Sequence, residues 1–400
     1  MAHVLKFEGP ASSFSAEKAA INDPFADDRD DRLFRVLGPA DGAAFFLLGD
    51  RCAIFSEKTQ QIYALNQTAA YIWCRLEEQA APATICEELA TTGIGADLAQ
   101  THIRAALHSW LKLRLLKVDY SFDIGSLPIE RSLDLSIAGF DFSIHVSDKR
   151  LAGLLSAFEH HLVPAREAHH VFQVLELKGL IHVLHNGRNV ICCDEIELMP
   201  SIKAYITDQI VTMSPPNVVF HAACLVRGGK SLLISGRPGA GKTTLTLHLT
   251  EGEFAYGSDD ISLIAPDGSV TGVPFAPAIK PGAWEIVKQF RPGLDDAIIH
   301  RRPDGKRVRY LSPTHVACGG RYPVGWILFI KRTSGPAKLE PLEPVEAMRR
   351  LMDGSYSPGE KLNLAACRAI NRTLASAGSY ELTYSNLTEA NDIIERLCNG

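Results

Sequence analysis

The chain has 400 residues, is 46% hydrophobic, and sets 41 Lys and Arg against 46 Asp and Glu for a net charge of −5. That length accommodates two or three domains with more than one core, and the negative balance without a long basic run disfavours a nucleic-acid partner. No apolar stretch reaches about 18 residues, so no membrane span is expected, and the opening MAHVLKFEGPASSFSAEK lacks the apolar core of a signal peptide. The nine cysteines are scattered without any C-x-x-C, Cys192 and Cys193 being adjacent, which fits a reducing, cytoplasmic compartment. His315 and Cys318 have a ligand spacing, but nothing near them in sequence completes a zinc site.

Residues 1–40, with the charge cluster ADDRDDR from Ala26, read as a poorly structured segment. Between about 43 and 65 come the short strand-like runs AAFFLL, CAIFS and IYALN. LNQTAAYIWCRLEE then places Ala69, Ile72, Trp73 and Leu76 on one helical face. ATICEELATTG and DLAQTHIRAALHSWLKLRLL are both amphipathic. Strands followed by helices make a small winged-helix module over 41–120, closed by a polar linker over 121–131. Without a basic recognition helix, that module is not expected to bind DNA.

The region 132–400 opens with SLDLSIAGFDFSIHV, which alternates as strands do, and a helical run, DKRLAGLLSAFEHHL. VFQVLEL, LIHVLHN and NVICCDE read as an antiparallel meander. ELMPSIKAYITDQIVTM reads as a helix with Pro200 in its first turn, and VVFHAACLVR as a strand. Beyond the central motif, GWILFIKR and YELTYS read as strands; EPVEAMRRLM and EKLNLAACRAINRTLAS read as helices.

The motif itself is SLLISGRPGAGKTTLTLHL, from Ser231. It has the full G-x-x-x-x-G-K-[ST] spacing, between a buried-strand run and a helical run, which is the context a phosphate-binding loop requires. Gly236, Gly239 and Gly241 let the backbone curl so that N–H groups point at phosphate oxygens. Arg237, Pro238, Ala240 and Thr244 complete the cradle, and the helix N-terminus adds partial positive charge. Lys242 is expected on the β- and γ-phosphates of ATP, and the Thr243 hydroxyl on Mg²⁺. Downstream, Asp259 and Asp260 are adjacent. One carboxylate suffices to hold Mg²⁺; the second fits a base for an attacking hydroxyl, or else merely forms a turn. Neighbouring side chains in a strand point to opposite faces, so a bend is required for both to serve. His221 stands before AACLV, where a lone histidine is by itself as well explained as a core group. HRRPDGKRVRYLSP gathers Arg301, Arg302, Lys306, Arg307 and Arg309 around an Asp-Gly turn, either a solvated loop or a cationic one that neutralises a transferred phosphoryl group; Lys280 is a further cation.

Residues 221 to about 285 resemble the catalytic domain of the HPr kinase family in the order His221, GRPGAGKT from Gly236, then SDD at Ser258–Asp260. The resemblance implies a P-loop mixed sheet flanked by helices, with ATP-dependent phosphorylation of a protein hydroxyl. It also implies that Asp259 or Asp260 is the base, that Mg²⁺ lies near Thr243, and that His221 is functional. In place of that family's later signature the chain has VPFAPAIKPGAW, which looks like shorter relatives in peptide-maturation systems, with Lys280 at the matching place. Residues 41–118 resemble the PqqD family in LNQTAAYIWCRLEE and in the last helix. That implies a sheet edge that receives a precursor's leader peptide by strand addition, the peptide packing against the helix of Ile103, Leu107 and Trp110. Together these point to an α/β kinase that acts on a Ser or Thr of a ribosomally made precursor peptide, with its own leader-binding module; a homo-oligomer is compatible with the chain. The alternatives are a small-molecule kinase on the same core and a nucleotide-switched peptide chaperone that transfers no phosphate.

Overall fold

The computed structural model describes residues 4–6, 34–120, 128–165, 167–214, 218–317, 320–356 and 362–399. The ADDRDDR cluster, Cys318 and most of the expected linker lie outside them. The chain divides into two compact units, residues 1–129 with 173–195, and residues 130–172 with 196–400. Gln173–Glu195, most of the meander read from the sequence, thus groups with the N-terminal unit.

In the first unit, Ala43–Leu48 (β3), Arg51–Ser56 (β4) and Gln61–Leu65 (β5) form antiparallel pairs, and Val4–Lys6 (β1) lies parallel along β5. Phe34–Pro39 (β2) pairs antiparallel with Leu116–Tyr120 (β6). The expectation of an unstructured first 40 residues therefore fails at β1 and β2. For β2 the physical reason is that Val36 and Val118 cover the edge of the core. Three helices follow β5: Gln67–Glu77 (α1), Pro82–Thr91 (α2) and Ala96–Lys112 (α3). Asn66 caps α1 by accepting from the Ala69 amide at 2.8 Å, and Pro82 opens α2, where its missing N–H costs nothing. Arg75 on α1 holds Glu88 on α2 through two parallel N–H···O bonds of 2.8 and 2.6 Å. Trp73 and Trp110 meet edge to face at 5.2 Å, both fully buried. Truncating either to Ala would cost roughly 3–5 kcal/mol. Ile103, Leu107 and Trp110 belong to this core, and Ile103 also borders a cavity with Val36, Pro82 and Cys86. Leu180–His185 (β10) and Arg188–Cys193 (β11) pair antiparallel, and Leu180, Leu184 and Cys192 join the same core. The strand His170–Leu177 (β9) precedes them and contains the boundary between the units.

In the second unit, Arg131–Ile137 (β7) pairs with Phe140–Val146 (β8), followed by Lys149–Leu154 (α4), a 3-10 turn at Ser156–His161 and Leu198–Met213 (α5). The central sheet contains Ala223–Arg227 (β13), Lys230–Ser235 (β14), Ala255–Ser258 (β15), Val324–Arg332 (β21), Lys338–Pro341 (β22) and Gly378–Tyr384 (β24), in the order β15-β13-β14-β21-β24-β22. β21 runs parallel to both β14 and β24. Leu232 and Ile234 of β14 pack on Lys242–Leu249 (α6) and Leu387–Asn399 (α10), whereas Leu233 packs on the opposite face with Pro344–Asp353 (α8) and Leu364–Ser376 (α9). A strand buried on both faces needs an uninterrupted apolar run, and SLLIS supplies one. Val218–Phe220 (β12), Ser262–Ile264 (β16), Val270–Gly272 (β17) and Ser355–Tyr356 (β23) form a second sheet. Ala278–Ile279 (β18), Ile299–Arg301 (β19) and Arg307–Tyr310 (β20) form a third, with Pro281–Val287 (α7) between β18 and β19. The unit is a mixed α/β fold in which the glycine loop leaves the carboxyl end of β14, where open α/β sheets place their ligands.

Candidate active site at the phosphate-binding loop

The loop runs from the end of β14 to the start of α6. Gly239 and Gly241 take φ of 85° and 93°, the left-handed region that side chains strain to adopt. A Cβ on Gly236 would lie 2.8 Å from Ile330, and one on Gly241 2.7 Å from the Tyr384 hydroxyl. Packing therefore holds the first position to glycine, and packing together with curvature holds the last. Lys242 donates to the Gly236 carbonyl at 2.8 Å, which holds its ammonium across the loop. Burial lowers the Lys242 pKa, and Asp260 and Asp259 oppose that shift.

The two aspartates follow β15 at a bend, so the pair escapes the alternation of a straight strand. Hydroxyl contacts pin the bend. Ser258 and Ser262 lie 3.1 Å apart, and Ser262 donates to the Ala222 carbonyl at 3.0 Å, fixing the Asp pair beside His221. Asp259 is buried and accepts from the Thr243 hydroxyl at 3.2 Å. The Tyr256 hydroxyl stands 3.3 Å from its other oxygen, but its one proton has a nearer acceptor in the Phe275 carbonyl at 2.6 Å. Burial raises the Asp259 carboxyl above the usual range, and the Lys203 charge is the largest influence opposing that rise. Asp260 is more open and receives His221 Nδ1 at 3.1 Å, while the His221 amide is held by the Gly354 carbonyl at 2.9 Å. One cavity of about 540 Å³ is bordered by the loop, His221, both aspartates and Lys280.

The donor set fits Mg²⁺. Among the described residues no cluster of three or more His, Cys, Asp or Glu is present. Mg²⁺ needs none, because it takes one or two carboxylates and completes its shell with water and phosphate. Thr243, Asp259 and Asp260 offer hard oxygens only.

The expected cations divide. Lys280, Arg302 and Lys306 border the cavity, Arg302 and Lys306 both pairing with Asp304. Arg309 turns away to Asp295 at 3.1 Å and stacks over Trp284, Arg301 pairs with Glu197, and Arg307 is exposed outside the cavity. Three residues near the site were not anticipated: Lys203, Tyr256 and Arg332. Lys203 and Arg332 come from elements distant in sequence and carry no motif. Tyr256, three residues before Asp259, was the one within reach of sequence reasoning.

Among curated proteins no match is found. The structure of TbiB1 in complex with the TbiA(beta) leader peptide is similar at 18% identity, over 20% of this chain and 94% of that one, with a TM-score of 0.19. The HPr(Ser) kinase/phosphatase from Coxiella burnetii is similar at 14% identity, over 45% of this chain and 90% of that one, with a TM-score of 0.19. Residues 51–116 match the family model described as Coenzyme PQQ synthesis protein D (PqqD), so the stretch from β4 to the start of β6 is a PqqD domain.

Proposed function

We propose that the chain is an ATP-dependent kinase that phosphorylates a Ser or Thr hydroxyl of a ribosomally made precursor peptide, whose leader is held by the PqqD domain. The observation that carries this reading is the convergence on one cavity of the glycine loop, the Thr243–Asp259 hydrogen bond and the His221–Asp260 pair. Loop amides and Lys242 hold the triphosphate. Thr243 and Asp259 hold Mg²⁺ with help from Asp260, and the ion supplies charge neutralisation on the phosphates. Asp260, open to the cavity, accepts the proton of the attacking hydroxyl, and His221 fixes its orientation. Lys280 and Arg302, which border the same cavity, neutralise the negative charge that develops on the transferred group. The PqqD domain raises the local concentration of the acceptor by tethering its leader.

The test is full-length enzyme with ATP, Mg²⁺ and the small precursor peptides encoded beside its gene, with and without leader. Mass spectrometry should locate one phosphate on a hydroxyl, transferred faster when the leader is present. Nucleotide-dependent peptide binding without covalent phosphate would replace this reading with a chaperone, and leader-independent transfer to a free metabolite with a small-molecule kinase.

A further inference from the structure

A second cavity of about 420 Å³ adjoins the first. The two share Thr243, Asp259, Asp260, Ala278, Lys280 and Arg302, but of the two only the first is bordered by Arg237, Pro238, Gly239, Gly241 and Lys242 of the loop. The second lies between α5 and the β19–β20 hairpin, with Lys203, Ala204 and Thr207 on its α5 wall and Tyr310 opposite. Lys203 is held in place. Its ammonium donates to the Ala276 carbonyl at 3.2 Å and lies 5.6 and 5.4 Å from the ring centres of Phe275 and Tyr310. A carbonyl and two aromatic faces fix the cation without neutralising it.

Phosphoryl transfer requires the attacking oxygen roughly in line with the leaving one. On the kinase reading, a triphosphate on the loop would turn its terminal phosphate toward the Asp pair, which both cavities share, and the second cavity would then offer the approach for the attacking oxygen. A third cavity, of about 780 Å³ on the outer side of the loop, reaches His221 but neither aspartate, and its Arg349 and Arg350 are tied to Glu346, Asp353 and Glu381. It lacks the group that would take the proton.

We propose that the second cavity is the acceptor channel, that it receives a peptide segment with a carboxylate beside the hydroxyl, and that Lys203 is the positioning residue that grips this carboxylate. The inference rests on the kinase reading above. With the Asp pair offset by a divalent cation, Lys203, Lys280 and Arg302 outweigh Asp304 on the channel walls, so the charge favours an acidic segment. In the transfer the bond between the γ-phosphorus and the β–γ bridging oxygen breaks and one to the peptide oxygen forms. The hydroxyl proton passes to Asp260, and the nucleoside diphosphate leaves with the bridging electrons.

The test uses the full chain and paired precursor peptides carrying Asp or Asn next to the acceptor. The wild type should show KM about tenfold lower for the Asp peptide, an increment of about 1.4 kcal/mol. Lys203→Met should erase that ratio of KM values, and Lys203→Arg should restore it. Ala204→Trp, at the exposed channel wall, should cut transfer to peptide at least about tenfold with nucleotide affinity unchanged. Equal KM values for both peptides in the wild type, or undiminished transfer by Ala204→Trp, would overturn the proposal. A separate readout does not need turnover: thiol labelling at Ala204→Cys, mapped by mass spectrometry, should be slowed by the precursor when a non-hydrolysable ATP analogue is bound. Absence of transfer by the wild type would sink the kinase reading. Protection at position 204 would still uphold the channel, and unprotected labelling would overturn it too.

Discussion

His182 in the first unit and Asp259 in the second are both withdrawn from solvent, at 0% and 6% exposure. Their surroundings differ in one respect. His182 meets the Tyr120 hydroxyl at 2.8 Å, Asn189 at 3.3 Å and Cys192 at 3.9 Å, and none of these borders any of the cavities described above. Burial pushes its pKa down to about 4, so it stays neutral at ordinary pH. Asp259 faces a cavity, and its one unshared donor is the hydroxyl of Thr243, a residue assigned to metal. A buried polar group that closes on its own neighbours holds a fold together. One that is left waiting for a cation stores free energy that a ligand can release.

That contrast can be broken by substitution. The largest effect is expected from Lys242→Ala, which removes the cation proposed for the β- and γ-phosphates. Transfer should fall by about a thousandfold or more and ATP affinity should weaken in calorimetry, with the unfolding curve unchanged. Asp260→Asn should keep ATP binding and lower transfer roughly a hundredfold or more in single-turnover assays, whereas His221→Ala should cost less because histidine only orients the base. Normal turnover by Asp260→Asn would remove it from the acid–base role.

The stability effects should run in opposite directions in the two units. His182→Leu removes the buried contact with the Tyr120 hydroxyl, which keeps Asn189, and should cost about 1–3 kcal/mol in urea unfolding while nucleotide affinity stays the same. The pH dependence follows in sign. The folded His182 pKa, about 4, lies below the unfolded value, so between the two the unfolded chain binds more protons. Its stabilisation is complete above about pH 6.5 and is lost as pH falls toward 4, a change of about 3 kcal/mol. His161, pushed down to about 3 by burial, adds in the same direction for the second unit. A first unit equally stable at pH 4.5 and 7 would refute this reading of His182. The smallest effect is expected from Asp259→Asn. It should raise the stability of the nucleotide-free protein by about 1 kcal/mol, because the burial cost of the carboxylate, which Lys203 offsets only in part, is gone, and shrink the extra stability conferred by Mg²⁺ and ATP.

The sequence carries the local parts of this arrangement and loses the distant ones. SLLIS, the glycine spacing and the TTLTLHL helix lie within one stretch of chain, where the requirements of curvature and burial leave a direct trace in residue type. The bend at the Asp pair was inferable from the need for it, but the serine contacts that fix it were not. Lys203 comes from a helix that ends before β12, and only tertiary packing brings it near Asp259. The cationic run at Arg301–Arg309 was legible as charge. Which members face the cavity depends on hairpin register and on remote partners such as Glu197 and Asp295. β1 and β2 escaped notice because three- and six-residue strands without alternation give no periodic signal.

The Tyr384 hydroxyl donates to the Ala240 carbonyl at 3.1 Å, across 144 residues of chain, and β24 reaches the loop strand only through β21. The loop is thus braced by a strand that leaves the ribosome well over a hundred residues after it, Tyr384 lying 144 positions beyond Ala240. At roughly 5–20 residues per second, synthesis must continue for something like 7–30 s after the loop emerges before its supporting sheet can close. During that interval the nascent chain carries the glycine motif without the support that shapes it. The shaped loop therefore forms late relative to the PqqD domain, whose strands and helices are complete about 260 residues earlier.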